Sequence, residues 1–203
     1  MKPVVGVLGV QGDVEEHLHA LAAAGAEPRN VKSVAELDGV EGLIIPGGES
    51  TTVIRLLKRF GLEAPIRERV RAGMPLWGTC MGLIVAAHDV ADLDQETLDL
   101  IDVTVRRNAY GRQIASSEVP LAIPALGPEP FPAIFIRAPW IERAGPQVEV
   151  LAEHGAHGVF VRENNVLGTS FHPELTGDPR VHEYFLDMVR ASGAAKKEKA
   201  SPK

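Results

Sequence analysis

The chain has 203 residues, 45% of them hydrophobic and 24% charged, with a mean hydropathy of +0.01, so it can bury a core suited to one globular domain and wholesale disorder is excluded. Its net charge is -6, and because residues 194–203 hold four lysines and one glutamate, the remaining body stands at -9. A body this acidic is poorly suited to neutralising phosphates, which argues against nucleic-acid binding, and a single cysteine excludes an internal disulfide and fits a reducing compartment.

The first apolar run, residues 4–10, is broken by Gly6 and Gly9 and is too short for a secretion signal or a membrane span, so the expected location is the cytoplasm, with no membrane contact. The run reads as a strand, and after it Asp13 opens a helix with Leu18, Leu21 and Ala22 on one face. The unit recurs. Residues 42–45 are a strand ending at Pro46-Gly47-Gly48, after which Ser50 can N-cap a helix carrying Val53, Ile54, Leu56 and Leu57. It recurs again where residues 75–79 run through Cys80 into the apolar stretch 82–87. Alternating apolar strands and helices indicate an open, mostly parallel α/β sheet with helices on both faces. Past residue 100 the rhythm changes to short strand-like runs at 101–106, 133–137, 148–152, 158–162 and 166–170, which can add hairpins or edge strands. A final amphipathic helix over 180–191 carries Tyr184, Phe185, Met188 and Val189 as its buried stripe. The expected organisation is one domain over 1–191 and a disordered lysine-rich tail over 192–203.

Three glycine-rich or polar motifs lie at strand ends. Gly6, Gly9 and Gly12 are spaced GxxGxxG, which departs from the dinucleotide-binding pattern and suits close strand–helix packing, with Gln11 at an end where open sheets bind ligands. Pro46-Gly47-Gly48-Glu49-Ser50-Thr51-Thr52 lacks the lysine of a phosphate loop, and it is either a plain turn or a nest of outward N–H groups for an anion or oxyanion. Gly78-Thr79-Cys80-Met81-Gly82 sets the lone thiol between a strand and a helix with a glycine two residues away on each side, the nucleophile-elbow pattern with Cys in place of Ser. Such a turn forces a rare backbone conformation, and the helix after it favours a thiolate; a buried cysteine acting as a small hydrophobe is the bland alternative.

A cysteine nucleophile needs an imidazole, and the imidazole needs an orienting acceptor. His17 and His19 sit two apart within the first helix and face different directions, whereas His88, His154, His157 and His182 read as surface or packing residues. His172 differs, because Ser170-Phe171-His172-Pro173-Glu174 comes directly after an apolar strand and residues two apart in an extended segment share a face. Cys80, His172 and Glu174 are therefore the one complete triad in the sequence. No HxxxH or CxxC spacing points to a metal.

PGGEST, GTCMG and SFHPE, in this order, resemble the class I glutamine amidotransferases, a flavodoxin-like fold. Gly9-Val10-Gln11-Gly12, the run Arg107-Asn108-Ala109-Tyr110-Gly111-Arg112-Gln113, and Phe135-Ile136-Arg137-Ala138-Pro139 resemble one branch of it, the glutaminase subunits of pyridoxal 5'-phosphate synthase, over about residues 3–190. The resemblance implies Cys80 as nucleophile, His172 as general base and acid, and Glu174 as its carboxylate. It implies a glutamine site at Gly47, Gly48, Glu49, Arg107, Ile136 and Arg137, and backbone N–H groups of Gly48 and Met81 for the oxyanion. Position 81, where a smaller residue is common, is Met here, which matters little if only its N–H acts. It further implies no cofactor, L-glutamine as substrate, a synthase subunit as partner and weak activity alone; Gln11, beside the oxyanion loop, is either a place for that partner to press or a plain strand-end polar residue. A cysteine peptidase or deglycase on a similar elbow, and a non-catalytic binding subunit, are the rival readings.

Overall fold

The computed structural model describes residues 2–91, 93–107 and 116–200, with side chains to 195; residues 108–113 of the Arg107 motif lie outside the described residues. In chain order the larger elements are β1 (Val4–Leu8), α1 (Val14–Ala23), β2 (Glu27–Val31), α2 (Val34–Leu37), β3 (Gly42–Ile45), α3 (Ser50–Arg59), α4 (Glu63–Arg71), β4 (Leu76–Thr79) and α5 (Met81–Ala86). They continue with β5 (Ala87–Val90), β6 (Ile101–Arg106), β7 (Ser116–Leu121), β8 (Phe131–Ile136), β9 (Trp140–Ala144), β10 (Glu149–His154), β11 (His157–Glu163), β12 (Val166–Thr169) and α6 (Arg180–Ala200).

Among the described residues, one mixed sheet runs β2-β1-β3-β4-β12-β11-β9-β6-β5, with β10 paired to β11, and β7 and β8 form a separate hairpin. The half from β2 to β12 is parallel, and the strands added later pair mostly antiparallel. Alternation along the parallel strands divides the core between two faces: Leu43, Ile45 and Leu76 pack with Val53, Leu57, Ile66 and Leu83, whereas Ile44 and Trp77 pack on the other side with Leu21, Phe131 and Phe185. Helices α3, α4 and α5 thus cover one face, and α1, α6 and the β7–β8 hairpin cover the other. None of the described helices is long and apolar enough to cross a membrane.

Two helices differ from the sequence expectation. On α1 the buried residues are His17 and Leu21, and Ala22 is exposed, because a paired histidine occupies the inward position that an apolar residue was expected to fill. Helix α6 continues past residue 191 to Ala200, where an unstructured tail was expected. Residues 194–200 are alanine, lysine and glutamate, all strong helix formers, and no proline comes after Arg180 until Pro202.

The topology sets the site. β12 lies beside β4 in register, Thr169 opposite Thr79, and β3 flanks β4 on its other side with Ile45 opposite Gly78. β1 lies beside β3. Four parallel strands therefore end side by side, and the segments leaving those ends converge: Gln11 and Asp13, Gly47 to Glu49, Cys80, and His172 with Glu174. This is the edge where open α/β sheets hold ligands.

Candidate active site

Cys80 occupies the turn from β4 into α5 at φ 50 and ψ -109, a conformation that L-residues rarely adopt. Its N–H donates to the Thr169 carbonyl at 2.7 Å, which ties the elbow to the end of β12. The glycines around it serve close approach. A Cβ on Gly78 would lie far inside contact distance of the Gly82 carbonyl, and one on Gly82 would meet the Ile45 carbonyl of β3 in the same way. Helix α5 can thus press against two strands and aim the thiol outward from the sheet edge.

The thiol is 2% exposed, yet it lines a cavity of about 220 Å³ together with Asp13, Gly48, Met81, Ile136, Arg137, His172 and Leu175. Its Sγ lies 3.7 Å from the Ile136 carbonyl, and the His172 ring lines the same cavity. On the far side of that ring, Nδ1 lies 2.7 Å from Glu174 Oε1 and 3.4 Å from Asp13 Oδ2. Burial by itself pushes the His172 imidazolium down, but hydrogen bonds with Asp13, Cys80 and Glu174 outweigh it and carry its pKa up to about 12. Asp13 is held below the usual carboxylate range by its hydrogen bond to His172, whereas burial pushes Glu174 up.

The remaining sequence-predicted residues group in two places. Gly48, Met81, Ile136 and Arg137 line the cavity itself, with Arg137 at φ 44 on its rim. Glu49 and Arg107 face each other beside it, Arg107 Nη2 donating to Glu49 Oε1 at 2.9 Å. Gln11 bridges to the glycine loop, its Oε1 accepting the Glu49 N–H at 3.2 Å. Gly12, at φ +100, lets that bridge form, since a Cβ there would collide with the Gly47 carbonyl. Ser50 lies inside α3 and not at its cap; Glu49 is the cap residue, and the Ser50 hydroxyl donates to Gln95 Oε1 at 3.0 Å.

Sequence reasoning missed Asp13. Asp13 reads as a helix cap, but it makes no side-chain cap bond and turns its carboxylate to His172. Its position just past the end of β1, where ligands gather, was the available signal. Asp13, His172 and Glu174 are also the one grouping among the described residues whose ligand atoms, within 4.8 Å of one another, could hold a metal ion; in this structure the ring nitrogen is already engaged by Glu174.

The model of the SNO glutamine amidotransferase family matches residues 7–191. The chain belongs to the SNO glutamine amidotransferase family. A relative in Streptomyces avermitilis, pyridoxal 5'-phosphate synthase subunit PdxT, is 56% identical over 192 residues, covering 94% of this chain and 96% of its own. The protein of that name in Kosmotoga olearia is 52% identical over 186 residues, covering 91% and 97%. A solved glutamine amidotransferase superposes with a TM-score of 0.87 at 45% identity, over 92% of this chain and 98% of that one. An α/β glutamine amidotransferase fold with added strands is therefore the architecture of this family member, as expected from its motifs.

Proposed function

We propose that the chain hydrolyses the side-chain amide of L-glutamine to L-glutamate and ammonia through a γ-glutamyl thioester. The observation that carries this reading is the cysteine at φ 50, opening on a cavity that it shares with an imidazole whose Nδ1 meets a buried carboxylate. The Cys80 thiolate attacks the carboxamide carbon, and the N–H groups of Gly48 and Met81 meet the developing oxyanion, each worth about 3–4 kcal/mol in comparable sites. His172, kept as imidazolium, gives its proton to the departing ammonia. It then takes a proton from the water that hydrolyses the thioester. Glu174 fixes the ring and supports its charge.

Arg107 and Glu49, paired with each other beside the cavity, suit the carboxylate and ammonium of the glutamine backbone, with Ile136 and Arg137 lining the approach and Gly47 leaving room for the His172 ring. Ammonia is mostly protonated at neutral pH and then no longer nucleophilic, so a glutaminase gains by handing it directly to a partner. The relatives' name, a subunit of pyridoxal 5'-phosphate synthase, makes the synthase subunit that partner. Gln11 is the coupling residue of this reading, because its side chain holds the N–H directly after Gly48 and a partner pressing on it would move the oxyanion loop.

The test is ammonia release from glutamine by the chain with and without the synthase subunit. Release that rises with the partner and vanishes in Cys80→Ala supports the reading. Turnover of a peptide or glycated substrate in place of glutamine, or a Cys80 that stays unreactive to a glutamine-mimicking electrophile in the complex, overturns it.

A further inference from the structure

Glu174 gives one oxygen to His172 and leaves the other in an unusual place. Oε2 is buried and accepts no hydrogen bond, yet His17 Nε2 of α1 lies 3.5 Å away. The same nitrogen lies 3.2 Å from Thr79 Oγ1, one residue before the nucleophile, and His17 Nδ1 lies 3.1 Å from His182 Nε2 of α6. His17, Thr79 and His182 are all fully buried, and His182 Nδ1 has no partner.

The carboxylate facing His17 selects one tautomer. Burial lowers both imidazoles, His17 well below 6.5 and His182 to about 4, so both rings are neutral and each carries one N–H. If His17 donated from Nδ1 to His182, the His182 hydrogen would sit on Nδ1 as a buried donor with no partner. His17 would also turn a lone pair toward Glu174. In the opposite arrangement His182 Nε2 donates to His17 Nδ1, and the unpartnered His182 atom is only a lone pair. His17 Nε2–H then points between Thr79 Oγ1 and Glu174 Oε2. One buried donor of this group goes unmet in either arrangement, His182 Nδ1–H in the first and the Thr79 hydroxyl in the second, but the second replaces repulsion of a carboxylate by attraction.

Resting on the triad reading above, we propose that His17 is a positioning residue: its Nε2–H holds the second oxygen of Glu174, so that this buried carboxylate stays ionised and aligned on His172. His182 and Thr79 in turn hold the His17 ring. The groups facing Glu174 are His172 and Asp13 from the cavity and His17 from α1, with His182 behind it. Glu16, His19 and Asp178 border a second opening beside Glu174. Of these, only His17 addresses Oε2. Without its N–H, burial raises the Glu174 pKa further, and a protonated Glu174 can no longer support the imidazolium.

The experiment measures kcat and KM for glutamine against pH in the complete complex with the synthase subunit, for the unaltered chain, His17→Leu and His17→Gln. His17→Leu is expected to move the acid limb of kcat upward by about one pH unit or more, so that a loss of roughly tenfold near pH 6 shrinks toward pH 9, with KM changed less than about twofold. His17→Gln, whose amide N–H reaches the same position, restores most of the limb. A folded His17→Leu with an unmoved limb, or a Gln variant no better than Leu, overturns the proposal. Should His17→Leu not fold, 15N spectra of the imidazoles in the unaltered chain decide the matter: a neutral Nε2–H tautomer at His17 supports it, and Nδ1–H overturns it. Failure of the glutaminase reading is separate, since the unaltered complex would then release no ammonia.

Discussion

Two carboxylates reach the same nitrogen of His172, and their surroundings separate their roles. Glu174 sits 2.7 Å away with its side chain sealed from solvent, whereas Asp13 is 3.4 Å away and 40% exposed. An interaction out of water is stronger and directional, and one in partial solvent is screened. Glu174→Gln should therefore fold and bind glutamine but lose about 10²- to 10⁴-fold in kcat, because the amide favours the wrong tautomer of the ring. Asp13→Asn should lose only about tenfold or less. Steady-state rates of the two variants in the complex check the ranking, and equal losses would mean that Asp13 shares the orienting role. Since the imidazolium persists to about 12, an alkaline fall in kcat with its midpoint near the ordinary histidine value would contradict an imidazolium held by these carboxylates.

At the scale of elements, the reach of the thiol depends on how closely α5 approaches β3 and β4. Gly82→Ala would push a methyl into the Ile45 carbonyl, so it should cost about 3 kcal/mol in unfolding free energy and weaken activity by displacing Met81 and Cys80 together. Urea titration and rate measurements on this variant test both effects, and a stable, fully active protein would refute them. This elbow is legible in the sequence because glycines at 78 and 82 around a lone cysteine have few other uses. The SFHPE segment is legible for a similar reason, since a strand followed by His and Glu two apart leaves little freedom. Other parts are not legible. β5 is four residues with two exposed polar side chains in its middle, and β7 contains Pro120, so neither has the alternation of a strand. The inward face of α1 is obscured because His17 counts as polar in any periodicity, and it is the distant Thr79, His182 and Glu174 that make its burial tolerable. Asp13 was hidden by its aptness as a cap. Contacts between residues 17, 79, 174 and 182 come from the order of strands in the sheet, which one sequence does not display.

Across the whole molecule, burying two neutral histidines makes stability depend on pH in a direction that can be worked out. Desolvation lowers His182 to about 4 and His17 well below 6.5, while both sit near 6.5 in the unfolded chain. Between these values the unfolded state binds more protons than the native state, so stability rises with pH and is lost on acidification. For His182 alone, lowering the pH from about 7 to 5 removes about 2 kcal/mol. Glu174 acts in the opposite sense, because its raised pKa lets the native state take up a proton first. His172 does too, since its contribution is fully present below 6.5 and is lost only toward about 12. Comparing the unaltered chain with His182→Leu cancels the His172 contribution to first order, and any rise in the Glu174 pKa once His17 loses its donor adds to the difference with the same sign. The variant should be less stable at pH 7, having lost the donor to His17, yet it should lose about 2 kcal/mol less on going to pH 5. Unfolding free energies from urea titrations at the two pH values provide the comparison, and parallel pH dependences would mean that His182 is not held neutral in the fold.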